Sequence, residues 1–146
     1  MIDALFSNPY YVLGTILMVC LSGYITWRNN FKIRRATACK VFRAAVLTAL
    51  DGLYPIPSNW PDGMGIDISL RTIFPSLQTA VENFRPYVPW WKKRSFNQAW
   101  SRYRLPNGRE IDQQCYHHYI DFSGQPDPKR TFHAHVDRLL SFANEY

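Results

Sequence analysis

The chain has 146 residues, a formal net charge of +6, 47% hydrophobic residues and 16% aromatic residues. This length supports one compact domain, and the apolar fraction excludes an intrinsically disordered chain. Three cysteines are too few for a disulfide-stapled scaffold, and no internal repeat indicates a solenoid. These observations exclude several architectures and point to no particular activity.

The first element is an apolar segment that we predict to be a transmembrane helix over residues 9–27. No charged residue occurs between Tyr11 and Trp27. A helix of this length spans about 25 Å, the short end of what a bilayer requires. Pro9 is tolerated in the first turn after a cap by Ser7 or Asn8. Amphipathic rings lie near both ends of the segment, as at membrane interfaces: Tyr10, Tyr11, Tyr24 and Trp27.

Two other interpretations of this segment are less consistent with the sequence. A buried core helix rarely carries so long an uncharged run. A cleaved signal peptide needs a basic start and a small-x-small site, but Asp3 is the only charged residue before the helix. Cys20 follows Val19, which is bulky where a lipoprotein signal has a small residue. We therefore expect residues 9–27 to be retained, with residues 1–8 on the non-cytoplasmic side.

A basic juxtamembrane segment follows at residues 28–35. The positive-inside tendency places the remaining residues, 36–146, in the cytoplasm, beneath an inner or plasma membrane. Free thiols at Cys39 and Cys115 fit that reducing compartment. Contact with anionic lipid headgroups is predicted for Trp27, Arg28, Lys32, Arg34 and Arg35.

Residues 36–146 are predicted to form an α+β domain of about three helices and an antiparallel β-hairpin. An amphipathic stripe indicates a helix over 36–53, which could continue directly from the membrane helix. Asp67 can cap a short helix ending at Phe74, and Pro75 can start the next. The first stripe contains Val41, Ala45, Leu50 and Leu53, widened by Phe42, Val46 and Leu47. The helix after Pro75 presents one apolar face: Leu77, Ala80, Val81 and Phe84.

The hairpin prediction depends on Pro106-Asn107-Gly108, a turn signal between two runs rich in aromatic residues. It gives strands over about 97–105 and 109–121. A loop over 123–129 then precedes a last helix capped by Thr131. The stripe of that helix is Phe132, Val136, Leu139, Leu140 and Ala143.

All four histidines lie near the C-terminus, close in sequence to a cysteine. Cys115, His117, His133 and His135 are candidate metal ligands, with His118 beside them. If residues 131–143 are helical, however, His133 and His135 are about 200° apart and cannot face one ion. Histidines satisfied at the surface or at an interface are the simpler interpretation. The sequence therefore predicts no metal and no cofactor.

Residues 133–137 read His-Ala-His-Val-Asp and resemble the H-x-H-x-D element of metallo-hydrolases. That resemblance implies a metal-dependent hydrolase, but it covers five residues and has Arg138 where that motif often has a further histidine. We interpret the match as coincidental. The carboxylates Glu110, Asp112 and Asp121 lie on the predicted hairpin, where a solvated strand face accounts for them equally well. No phosphate-binding loop or nucleophile elbow is present, so we predict no catalytic residue.

The last candidate feature combines aromatic and basic residues: Trp90, Trp91, Lys92, Lys93, Arg94 and Trp100. This composition suits an interface with a protein partner or with a membrane. Tryptophans buried in the core are the alternative, and binding of single-stranded nucleic acid is a weaker one.

We therefore expect a non-catalytic, single-pass membrane protein that acts as an accessory, assembly or regulatory subunit of a larger membrane protein complex. The alternative is a membrane-anchored metal-binding or hydrolytic domain that uses the Cys/His cluster. A membrane-tethered nucleic-acid binder is less consistent, since no binding motif accompanies the charge. Homo-oligomerisation is open, although Gly14 and Gly23 lack the four-residue spacing of the glycine dimer motif.

Overall fold

The computed structural model describes residues 9–105, 114–121 and 127–144. These residues form four α-helices: α1 (Pro9–Ala49), α2 (Gly65–Phe84), α3 (Trp90–Arg104) and α4 (Pro128–Leu140). Three short 3-10 turns accompany them, at Arg85–Tyr87, His117–Tyr119 and Ser141–Ala143. The chain divides into two compact units, residues 1–37 and 38–146.

The first unit contains residues 9–37 of α1, which is long and apolar enough to cross a membrane. Every residue from Leu13 to Arg34 is exposed. The hydroxyl groups of Thr15, Ser22 and Thr26 donate to carbonyl oxygens three or four residues earlier, at 2.5–2.9 Å. These three hydroxyl groups are thus satisfied by their own helix, as a bilayer requires. The prediction of a helix over 9–27 is confirmed; the candidate caps Ser7 and Asn8 lie outside the described residues.

A glycine-dependent turn follows α1. Gly52 has a φ of +79°, a left-handed conformation that side chains with a Cβ rarely adopt. The carbonyl of Gly52 accepts a hydrogen bond from the Asn59 amide at 2.9 Å, which closes the loop. Pro55 and Pro57 lie within this loop and prevent the helix from resuming.

The core of the second unit is built from apolar side chains of all four helices. Phe42 of α1 stacks on Phe84 of α2 with ring centroids 4.5 Å apart, and Phe96 of α3 contacts both rings edge-on. The predicted apolar faces of α2 and of the last helical segment are confirmed, since all their members are buried. The stripe over 36–53 is confirmed in part: Phe42, Val46, Leu50 and Leu53 are buried, whereas Val41 is exposed.

The predicted β-hairpin, and with it the α+β class, is wrong. Residues 97–105 belong to α3 or directly follow it, and the described residues contain no strand. In residues 114–121 the backbone is irregular or 3-10, and the Cys115 amide donates to the Arg104 carbonyl at 3.0 Å. The turn at 106–108 and the carboxylates Glu110 and Asp112 lie outside the described residues.

The reason for this error is the period of the apolar residues. Buried side chains of α3 occur at helical spacing, as Phe96, Ala99, Trp100 and Tyr103. The hairpin prediction assigns a two-residue alternation to a segment whose apolar residues recur every three to four positions. The part of the chain that the structure describes is therefore an all-α fold.

Two predicted helix boundaries are also corrected. Pro75 lies inside α2 and does not separate two helices, because the apolar side chains Leu70 and Leu77 on either side of it are both buried in the core. This packing outweighs the backbone hydrogen bond that proline lacks. The cap of α4 is Asp127, not Thr131: its carboxylate accepts a hydrogen bond from the Lys129 amide at 2.9 Å, with proline in the first turn.

A buried carboxylate fixes the segment after α3. Asp67 of α2 is 6% exposed, accepts from Arg71 Nε at 2.8 Å and accepts from the Tyr116 amide at 3.3 Å. The prediction that Asp67 caps a helix is wrong, because it lies within α2, after Gly65. Its carboxylate positions residues 114–121 against α2.

Candidate functional site

The start of α3 presents two tryptophans and three cations, a set that we call the Trp90–Arg94 surface. Val88 is buried just before it, and Pro89 adopts an extended ψ of 142° that starts the helix. The buried face of α3 begins only at Phe96. The first turn therefore projects away from the core, with Trp90 79% and Trp91 64% exposed.

The geometry of this surface combines large apolar area with positive charge. The rings of Trp90 and Trp91 meet edge to face with centroids 5.8 Å apart. Lys93 and Arg94 are exposed, and Lys92 is half-buried. An exposed indole offers a large area that a partner can bury, and a neighbouring cation adds attraction to an acidic partner.

The dipole of α3 does not favour the charges of Lys92 and Lys93, which lie in its first turn. A helix N-terminus carries a partial positive charge, so cations in its first turn cost about 0.3–1 kcal/mol each and acids are favoured. The first turn of α3 has no acidic residue, and Pro89 at the N-cap position makes no side-chain hydrogen bond. Residues that lower the stability of their own helix are expected where the segment has a function, such as binding.

Trp100 does not belong to this surface. It is 3% exposed and stacks between Phe74 and Tyr103, at centroid distances of 6.0 and 5.6 Å. The guanidinium of Arg104 lies 5.1 Å from the Trp100 ring. The structure thus divides the predicted interface set into five residues at the start of α3 and one core residue.

The candidate lipid contacts lie together on α1. Trp27, Arg28, Lys32 and Arg34 are exposed, and Arg35 is half-buried. The Trp27 ring lies 6.3 Å from those of both Tyr24 and Phe31, which gives this part of the helix a row of aromatic side chains. Aromatic and basic residues at the end of an apolar segment are typical of the headgroup region.

The candidate metal ligands are not brought together. Within residues 9–105, 114–121 and 127–144, no group of three His, Cys, Asp or Glu side chains could hold a metal ion. As the helical geometry predicts, His133 and His135 leave α4 in different directions. His133 lies against the Tyr54 ring at 5.2 Å, and His135 lies against the Tyr119 ring at 5.9 Å. Cys115 is buried, while His117 is exposed.

Asp137, the acidic residue of the His-Ala-His-Val-Asp match, has a structural partner. Asp137 accepts a hydrogen bond from the Tyr54 hydroxyl at 2.5 Å. Burial and this bond to a carboxylate raise the pKa of Tyr54 to about 12. The Asp137 carboxylate thus connects α4 to the segment that follows α1.

His135 occupies a polar cluster between α3, α4 and the His117–Tyr119 turn. Its Nδ1 lies 2.8 Å from the Tyr119 hydroxyl, which donates to the Tyr103 carbonyl at 3.0 Å. When the Tyr119 hydroxyl donates to the Tyr103 carbonyl, its oxygen accepts from Nδ1–H of His135, and Nε2 is then the ring nitrogen that gains a proton on acidification. Burial, and then the positive charge of Arg102, lower the pKa of His135.

The stability of the second unit is therefore expected to fall on mild acidification. His135 has a folded-state pKa below its ordinary 6.5. Its contribution to the free energy of unfolding is therefore complete above pH 6.5 and is lost as the pH falls through the folded-state pKa. We expect the free energy of unfolding to drop more for the wild-type chain than for His135→Gln between pH 7.5 and 5.5. Chemical unfolding at the two pH values tests this, and equal drops would contradict it.

A groove between α3 and α4 is a feature that sequence reasoning missed. It encloses about 320 Å³ and is lined by Ser95, Gln98, Ala99 and Arg102 of α3 and by Ala134, His135 and Arg138 of α4. The two arginines lie on different helices, far apart in the chain, so no motif connects them. To predict this groove, both segments must be assigned as helices and the packing of α3 against α4 must be known.

Comparison with known proteins gives no relative. No family model matches the chain, and neither does any curated protein or solved structure.

Proposed function

We propose that this protein is a non-catalytic, single-pass membrane protein that serves as an accessory, assembly or regulatory subunit of a larger membrane protein complex. Helix α1 crosses the membrane through residues 9–27, and Trp27, Arg28, Lys32, Arg34 and Arg35 contact anionic headgroups. The second unit lies in the cytoplasm and binds the partner subunit through the Trp90–Arg94 surface.

The observation that carries this proposal is the exposure of Trp90 and Trp91 beside three consecutive cations. Tryptophan and arginine are the residues that contribute most to binding energy at protein interfaces. Lys93 lies in the first turn, where the dipole of α3 does not favour a cation, and it is exposed, which supports a role for its charge in binding. The corresponding surface of the partner is apolar at its centre and acidic at its rim.

Membrane confinement supports the same function. A chain held in the bilayer meets a membrane partner at a raised effective concentration, so a small surface suffices for a stable complex. The basic residues of α1 add attraction to anionic lipid of about 1 kcal/mol each. All 17 Lys and Arg residues of the chain lie at or after position 28, which by the positive-inside tendency supports a cytoplasmic second unit.

The test is purification of the tagged full-length chain from its native host in a mild detergent, with the stoichiometry of co-purifying membrane proteins measured. We expect a partner at a fixed ratio with the wild-type chain. In the double variant Trp90→Ala/Trp91→Ala its recovery falls at least tenfold, because each buried indole contributes about 2 kcal/mol or more. A wild-type chain that emerges alone, or only as a homo-oligomer, contradicts the proposal.

The matched control is Met64→Ala/Ile68→Ala. Both residues are large, apolar and exposed, like the two tryptophans, but they lie at the start of α2. Partner recovery with this variant is expected to equal that of the wild type. Equal losses in the two double variants would show a general effect of removing apolar surface and would refute docking through the Trp90–Arg94 surface.

A further inference from the structure

We propose that the groove between α3 and α4 binds a phosphate monoester, with Arg102 and Arg138 as the two charged contacts and His135 as a third donor. The groove is independent of the Trp90–Arg94 surface and does not depend on the function proposed above. Its lining contains two arginines, one histidine, one serine, one glutamine and two alanines, and no acidic residue. The phosphate comes either from a lipid headgroup or from a soluble ester.

The two guanidinium groups are available to an anion. Arg102 and Arg138 are exposed, and no ion pair joins either of them to a carboxylate of the residues that the structure describes. The Arg138 guanidinium lies 5.4 Å from the Phe142 ring, which limits its freedom before any ligand arrives. Arginines from two facing helices can bind different oxygens of one phosphate, each with paired N–H donors.

The small and neutral residues of the groove complete the site. Ala99 and Ala134 leave room beside the arginines, and the side chains of Ser95 and Gln98 can donate to phosphate oxygens. A volume of about 320 Å³ accommodates a phosphate with a short organic substituent. This chemistry favours a monoester over a larger polyanion.

His135 makes binding dependent on pH. The groups that face it are Arg102 on α3, Arg138 at the same groove, and His118 and Tyr119 on the 3-10 turn. Burial, and then the charge of Arg102, disfavour the protonated imidazole, whereas a dianion bound beside them favours it. A dianion therefore binds with proton uptake at Nε2, which becomes a further N–H donor, and the affinity for a group that stays a dianion rises as the pH falls.

The test is calorimetric titration of the full-length chain in a non-ionic detergent with glycerol 3-phosphate and, separately, with dihexanoyl phosphatidic acid. We expect saturable binding of at least one of them. Similar affinities indicate a soluble ester as the source, and binding of the lipid alone indicates a headgroup. Absence of saturable binding for both probes overturns the proposal.

The variants Arg102→Gln and Arg138→Gln are each expected to weaken binding at least tenfold. The control is Arg130→Gln, which removes the same charge from an exposed position of α4 outside the groove and should change the affinity less than twofold. Equal weakening by all three variants would show general charge attraction and refute a site. Circular dichroism of each variant verifies that the fold is retained.

Sulfate is the probe for the pH dependence, because it stays a dianion where phosphate itself titrates. We expect sulfate to bind the wild-type chain more tightly at pH 6.0 than at pH 7.5. The ratio of the two affinities should approach one in His135→Gln. An unchanged ratio in that variant would refute the role of His135.

Discussion

Replacement of Trp100 by alanine is expected to lower the free energy of unfolding of the second unit by about 3–5 kcal/mol, the usual cost of removing a buried tryptophan. The indole is enclosed by the Phe74 and Tyr103 rings, with the Arg104 guanidinium also close to it. Removing it leaves a cavity among rigid aromatic side chains that cannot collapse around the gap. Urea unfolding of the full-length chain in detergent, followed by near-ultraviolet circular dichroism, measures the loss.

Trp91→Ala is the matched control for this substitution. Its side chain is 64% exposed, so its removal is expected to change the free energy of unfolding by less than about 0.5 kcal/mol. The two substitutions remove the same chemical group from the same helix and differ in its burial. If both variants lost the same stability, the division of the tryptophans between core and surface would be incorrect.

Replacement of Asp67 by alanine is expected to cost about 2 kcal/mol, because hydrogen bonds to charged groups contribute about 1.5–3 kcal/mol. The variant leaves the Tyr116 amide without its carboxylate acceptor, and Tyr116 is buried. The substitution is also expected to loosen residues 114–121 locally, because the bond between the Tyr116 amide and Asp67 holds them against α2. Amide hydrogen exchange measures this: relative to the wild type, Asp67→Ala is expected to accelerate exchange more at Tyr116 than at the core positions of α4.

Glu82→Ala provides the comparison for Asp67→Ala. Glu82 also pairs with an arginine, Arg85, which directly follows α2 and lies 2.8 Å away. Both of these side chains are more than a third exposed. Such a pair contributes about 0–1 kcal/mol. A loss in Glu82→Ala as large as that in Asp67→Ala would show that burial of the Asp67 carboxylate is not what makes it important.

The helical part of the fold is predictable wherever a segment has one clear period. The uncharged run of residues 9–27 indicates a helix by length and composition, and the members of the apolar faces of α2 and α4 follow from their spacing. The prediction fails at α3. Asn107-Gly108 suggests a hairpin there, and the aromatic residues before it are therefore assigned to a strand. The competing signal is the spacing of Phe96, Trp100 and Tyr103, which recur after four and then three residues, as on one face of a helix.

The candidate site cannot be fully predicted from the sequence, because the exposure of each side chain depends on how the helices pack. Composition groups Trp90, Trp91 and Trp100 together, but only the packing of α3 shows which indoles face the core. The same limit applies to the histidines: their separation on α4 follows from helical geometry, whereas the contacts of His135 with Tyr119 require the 3-10 turn to be placed.

Local composition and the period of a single helix are sufficient to establish three features of this protein: the apolar N-terminal helix, the basic residues after it and the apolar stripes of residues 77–84 and of α4. The packing of separate helices established the others, namely that Trp100 is buried, that Trp90 and Trp91 are exposed and that Arg102 and Arg138 line one groove. These features could not be obtained segment by segment, because the free energy of burial is shared among residues that lie far apart in the chain.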